Sequence, residues 1–121
     1  MRIITFFCFL FVFNVCSAGT IKGTVEMIQT GKGYTVEDVY VLVKIVGTRS
    51  GQPACATDDR FSLNPASEWG KSMLSILLTA QATQKTVRLH GVNNCDLMGG
   101  NSFEEISYLR ICESTASYCN Y

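Results

Sequence analysis

The chain has no surplus of charge of either sign. Ten Lys and Arg offset ten Asp and Glu across 121 residues. A general nucleic-acid binder needs an excess of cations to displace counterions from phosphate, so that class is not expected. Histidine is nearly missing, with His90 alone. At the end of a predicted strand it reads as a hydrogen-bonded surface residue rather than a base. No Ser-His-Asp or Cys-His set assembles without it, so no catalytic residues are assigned and no enzyme is expected. No repeat, linker or low-complexity tract is present, and 121 residues give room for one domain. Beyond residue 18 there is no long apolar run, so no membrane span is expected there. The 47% hydrophobic content argues against disorder, although much of it sits in the first 18 residues.

The first 18 residues read as a signal peptide. Arg2 supplies the positive start and Ile3–Val15 is an apolar run broken only by Thr5 and Asn14. Cys16-Ser17-Ala18 offers small residues for signal peptidase, which places cleavage after Ala18 and leaves a single domain over 19–121. The competing reading is a lipoprotein signal at Cys16, but Phe13-Asn14-Val15 lacks the small residues a lipobox wants. Cysteine usage agrees with a secreted or periplasmic protein. Cys8 and Cys16 leave with the leader, and Cys55, Cys95, Cys112 and Cys119 remain. An even number in a small exported chain implies disulfides. Cys112 and Cys119 flank a polar stretch able to turn back on itself and are paired with each other, which leaves Cys55 with Cys95. The latter bridge closes a loop of about 40 residues, worth roughly 3–4 kcal/mol when unstrained. A zinc site is the other use of four cysteines, but the spacings do not form two close pairs, so no metal and no cofactor is expected.

The apolar periodicity sets out five strands and a helix. Thr20–Thr30 alternates imperfectly, with Ile21, Gly23, Val25, Met27 and Gln29 on one face, and Gly31-Lys32-Gly33 reads as a turn. Val36–Val46 is rich in β-branched residues, and Arg60–Leu63 is a short third strand ended by Asn64-Pro65. Ala66–Gln84 is helical, with Ser67 as cap and Glu68 in the first turn. Trp69, Met73, Ile76, Leu77 and Ala80 make one apolar face, and Leu74 and Leu78 widen it. That width fits either a deeply seated core helix or a contact with another subunit through Trp69, Met73, Leu74 and Leu78. Thr86–His90 and Ile106–Cys112 complete the strands, the last with Ile106, Tyr108 and Arg110 on one face and Ser107, Leu109 and Ile111 on the other. The class is mainly β with one helix between strands three and four, the order of the OB-fold, a five-stranded Greek-key barrel. An unrelated α+β sandwich is the alternative. Asp58-Asp59 and Glu104-Glu105 are adjacent acids, and strand neighbours point to opposite faces, so neither pair converges as a catalytic dyad would. The basic residues are scattered along the chain.

Ser67-Glu68-Trp69-Gly70-Lys71-Ser72 opens the helix, Thr86-Val87-Arg88-Leu89 follows it, Gln29-Thr30-Gly31-Lys32 ends the first strand, and Ala54-Cys55-Ala56 precedes the third. With the Cys112–Cys119 loop, these segments resemble the subtilase cytotoxin B subunit-like family, OB-fold subunits that form a ring of five beneath one enzymatic toxin subunit. The resemblance spans nearly all of 19–121. It implies a non-enzymatic binding subunit, a homopentamer, an enzymatic toxin partner and recognition of a cell-surface glycan. There are three departures. The family pairs the cysteine before strand three with one inside strand two, which here reads Tyr40-Val41-Leu42-Val43, so Cys55 turns to Cys95. The sugar-contacting serine of the first strand falls at Lys22, with Thr24 the nearest hydroxyl; these two are the candidate glycan-binding residues. The aromatic segment after strand four is replaced by Val92–Phe103. The alternative function is a stand-alone secreted or periplasmic OB-fold protein, an inhibitor or envelope protein with no toxin partner.

Overall fold

The computed structural model describes residues 18–32, 39–98 and 102–112. The leader over 1–17, Gly33, the expected strand start at Val36, Gly99-Gly100 and Cys119 lie outside the described residues. The elements are β1 (Thr20–Lys32), β2 (Val39–Val46), β3 (Phe61–Leu63), α1 (Glu68–Thr83), β4 (Thr86–Gly91) and β5 (Glu104–Cys112), with one 3₁₀ turn over Asp96–Met98. The five strands form one sheet closed on itself in the order β1-β2-β3-β5-β4. All neighbours are antiparallel except β3 and β5, which run parallel.

Closure depends on the length of β1. Its first half, Thr20–Thr24, pairs with β4, and its second half, from Thr24 to Lys32, pairs with β2. Between the halves, Val25 faces Ile45 and Met27 faces Lys44, so Glu26 is an extra residue in the ladder. Such a bulge bends a strand and shifts its side-chain phase by one. Ile21 and Val25 are therefore buried before it, whereas Ile28 packs on the core after it. The imperfect alternation in the sequence is this bulge. β5 carries a second one. Tyr108 lies opposite His90 and Ile106 opposite Gly91, leaving Ser107 over. Its Oγ lies 3.2 Å from the carbonyl oxygen of His90 and 3.0 Å from that of Gly91, within donating distance of both. The expected shared face of Ile106, Tyr108 and Arg110 is thereby corrected: Ile106 and Leu109 enter the core, and Tyr108 is exposed.

The helix plugs the closed sheet. Ser67 Oγ accepts from Gly70 N at 2.9 Å, as a cap should, and Gln84 ends the helix in the left-handed conformation at φ 54°. Met73, Leu77 and Ala80 face inward into one cluster with Val43, Phe61, Leu63, Val87 and Leu89, while the buried Gly70 lies close against the Asn64 carbonyl. Trp69 was expected on that face but is 60% exposed. It sits in the first turn, and helical side chains lean toward the N-terminus, which carries the indole away from the core.

One ion pair is buried beside this core. Glu104 is 0% exposed. Its Oε1 accepts from Arg49 Nη2 at 2.7 Å, and its Oε2 accepts from Gly19 N at 3.0 Å and Asn93 N at 2.9 Å. The Arg49 guanidinium stacks 4.0 Å from the centre of the Phe61 ring and donates to the Asp58 carbonyl at 3.0 Å. Glycine is required beside the carboxylate: a Cβ on Gly91 would lie 2.0 Å from Glu104 Cδ and one on Gly19 would lie 2.1 Å from Oε1. Glu104 cannot swing away, because leaving Arg49 would strand two buried charges. Gly91→Ala should therefore cost about 3 kcal/mol or more in urea unfolding. A change within about 0.5 kcal/mol would show that the carboxylate relocates freely.

Candidate functional site

Cys55 and Cys95 are bonded, with Cα atoms 6.1 Å apart. The bridge ties the β2–β3 connection to the β4–β5 connection, at the end of the sheet where Glu104 lies. Cys112 is buried and disulfide-bonded as well; its expected partner Cys119 is outside the described residues. A disulfide is compatible with an extracellular or periplasmic location. Among the described residues no helix is long and apolar enough to cross a membrane, and no three His, Cys, Asp or Glu side chains gather as metal ligands would.

The strand register assembles a surface that the linear sequence disperses. Thr20 pairs with His90, Lys22 with Arg88 and Thr24 with Thr86. His90 in turn pairs with Tyr108 and Arg88 with Arg110. The inward residues of these strands are Ile21, Val87, Leu89 and Leu109. The intervening ones lie on the outer face by the two-residue alternation of strands. Two rows result across β1, β4 and β5: Thr20–His90–Tyr108, and beside it Lys22–Arg88–Arg110. Thr24 and Thr86 begin a third. At ordinary strand spacings the face is about 10 Å across the strands and about 13 Å along them. The expectation of scattered basic residues is thus corrected for these three, which fold into one line. Each of the three is engaged locally, so their charges are held in place.

Side-chain contacts knit the two rows together. Arg110 lies over the Tyr108 ring, 4.9 Å from its centre, and Tyr108 meets the His90 ring edge-on at 5.6 Å. Thr20 Oγ1 is 3.2 Å from His90 Nδ1, and Arg88 Nε is a long 3.4 Å from His90 Nε2. Arginine only donates, so Nε2 is the accepting nitrogen and Nδ1 carries the proton to Thr20. Partial burial, then the charges of Arg88 and Arg110, hold the His90 pKa below its ordinary 6.5. At neutral pH this favours the uncharged ring, a positioned spacer between a hydroxyl and a guanidinium.

The other singled-out residues are elsewhere. Asp58 grips Arg60: Oδ1 accepts from Nε at 2.8 Å and Oδ2 from Nη2 at 2.8 Å. That contact holds the Asp58 carboxyl at about 2. It is a surface clasp, with Arg60 reaching on to the Phe103 ring at 5.0 Å. Glu104 is enclosed in the interior while Glu105 is half-buried. Of the helix residues expected at a subunit contact, Met73 is 5% exposed and packs in the core, Leu74 is partly buried against it, and Leu78 is 50% exposed. Sequence reasoning reached Lys22 and Thr24 but missed Arg88, His90, Tyr108 and Arg110 as their neighbours. The signal was the arginine–x–histidine and tyrosine–x–arginine alternation of the two strands, once their register is known.

Comparison with family models, with curated proteins and with solved structures finds no match to this chain.

Because His90 is the only histidine, its titration is directly readable by NMR. The ring should titrate below pH 6.5. The unfolded chain then binds the proton more readily, so stability is full above pH 6.5 and falls as the pH drops from there to the folded pKa. His90→Gln should remove that part of the acid loss. A ring midpoint at or above 6.5 would contradict the assigned environment.

Proposed function

We propose that the protein is an exported, non-enzymatic OB-fold binding subunit of the toxin-B type, whose β1–β4–β5 outer face takes an acidic glycan. The observation that carries this reading is the row Lys22–Arg88–Arg110. Lys22, Arg88 and Arg110 are each engaged by neighbouring groups, and the strand register sets them in one line on the outer face. A ligand carboxylate suits such a line, since a charge-assisted hydrogen bond to a fixed cation is about twice as strong as a neutral one. Tyr108, 39% exposed, and the Thr20 and Thr24 hydroxyls provide the apolar floor and the polar groups that a sugar site needs. The OB-fold assignment is supported by the strand order, the parallel β3–β5 pair and the helix between β3 and β4. The export reading is supported by the disulfide.

On a glycan array the protein should bind an acidic glycan and lose affinity as salt is raised. Lys22→Ala should weaken binding by at least about 1 kcal/mol, roughly fivefold. Silence of the wild-type protein across the array would remove the glycan reading. Binding that ignores the substitution would move the site away from this face, to the 93–103 loop first.

The same reading includes a ring of five copies that docks an enzymatic subunit. Its support is the outward side of α1. From Ser72 to Gln84 the helix has no charged residue, and Trp69 and Leu78 are exposed. The hydroxyls of Ser72, Thr79 and Thr83 bond back to the carbonyls of Glu68, Ser75 and Thr79, which leaves that side with little need for water. Light scattering should give about five times the single-chain mass. A monomer across micromolar concentrations would favour the stand-alone exported protein instead.

A further inference from the structure

The Cys16-Ser17-Ala18 pattern puts the cleaved bond immediately before Gly19, and Gly19 N is one of the three donors to the buried Glu104 carboxylate. These two readings are independent: one comes from small residues beside an apolar run, the other from the packing at the far end of the sequence. From the structure we infer that removal of the leader completes the Glu104 site, because the new α-ammonium of Gly19 joins Arg49 as a second cation on the same carboxylate.

The geometry suits an amino terminus. Gly19 N is 3.0 Å from Oε2, while Arg49 takes Oε1 at 2.7 Å, so the two cations occupy different oxygens. Gly19 is held from both sides: its carbonyl accepts from Gly91 N at 2.8 Å, and the next residue exchanges two backbone hydrogen bonds with Ser50, at 2.8 and 3.0 Å. No other residue fits at the new first position, since a Cβ would lie 2.1 Å from Oε1. Ala18 is half-buried and Gly19 is buried, so the cleaved bond lies at the boundary of the enclosure.

The chemistry is hydrolysis by a signal peptidase. Water adds across the Ala18–Gly19 amide, its hydroxyl staying with the Ala18 carboxyl and a proton with the Gly19 nitrogen. That amine takes one further proton from solvent at neutral pH. A neutral amide donor to Glu104 becomes a charged one, which is about twice as strong. Processing is thereby coupled to stability: the fold is tightest for the chain that starts at Gly19 and weaker for one residue more.

This inference rests on the export part of the proposed function and not on glycan binding. The full chain, expressed in a bacterium that exports it, should yield a protein whose N-terminal sequence starts at Gly19; another start overturns the inference. The chain beginning at Gly19 and the chain beginning at Ala18, each released from a cleavable fusion, are then compared by thermal unfolding. The first should melt about 5 °C higher at pH 7. Pairing raises the α-amine above its ordinary value of about 8. The advantage is therefore full below that value and disappears as the pH rises through the raised one. Equal midpoints from pH 6 to 10 overturn the inference. Glu104→Gln should abolish the difference. Should that variant fail to fold, acylation of the Gly19 amine serves in its place, and it should be slower in the native chain than in urea; equal rates overturn the inference. A protein that shows the midpoint difference but binds no glycan separates this inference from the ligand reading.

Discussion

A single enclosed carboxylate organises this protein. Glu104 draws donors from the start of β1, from the connection after β2 and from the loop after β4, while lying at the head of β5. An ion in an apolar interior is tolerated only when its partners are in place, and removing one costs about 3–5 kcal/mol. Each donor is thus held to its position by the others. Arg49 also stacks on Phe61, the residue that pairs with Glu104 between parallel strands. Its Nε is buried without an acceptor among the described residues, so the ring face and the carboxylate together hold the guanidinium.

The Glu104 end of the closed sheet and its β1–β4–β5 outer face differ in character. Around Glu104 the connections are fastened by the Cys55–Cys95 bridge and by the Asp58–Arg60 clasp. The outer face of β1, β4 and β5 carries the Lys22–Arg88–Arg110 row, set in line by register and held by local contacts.

Much of the architecture was legible in the sequence because it follows from local rules. Ser67 caps the helix, Asn64-Pro65 ends β3 and the β-branched runs form strands. The two bulges were legible only as a fault in alternation: Glu26 explains why Ile28 joins the core, and Ser107 why Ile106 and Tyr108 part company. Glu104 was unreadable, since an acid beside another acid at a strand start looks solvated until Arg49, 55 positions away, is known to reach it. The cation row was hidden for the same reason. Lys22, Arg88 and Arg110 come from three strands, and only register makes them neighbours. Trp69 was misjudged because periodicity does not reveal that the first turn of the helix overhangs the core.

The place of β5 in the sheet bears on when the fold can form. β5, the last of the described strands, sits between β3 and β4, so a chain still missing it has two open edges and no carboxylate for Arg49. Nor can the first strand be locked, because Gly19 waits for a residue 85 positions later. Contacts so distant along the sequence form slowly and late. Closure of the sheet and of the Glu104 site therefore requires almost the whole described length of the chain. Under the export reading proposed above, that timing keeps passage and folding from competing.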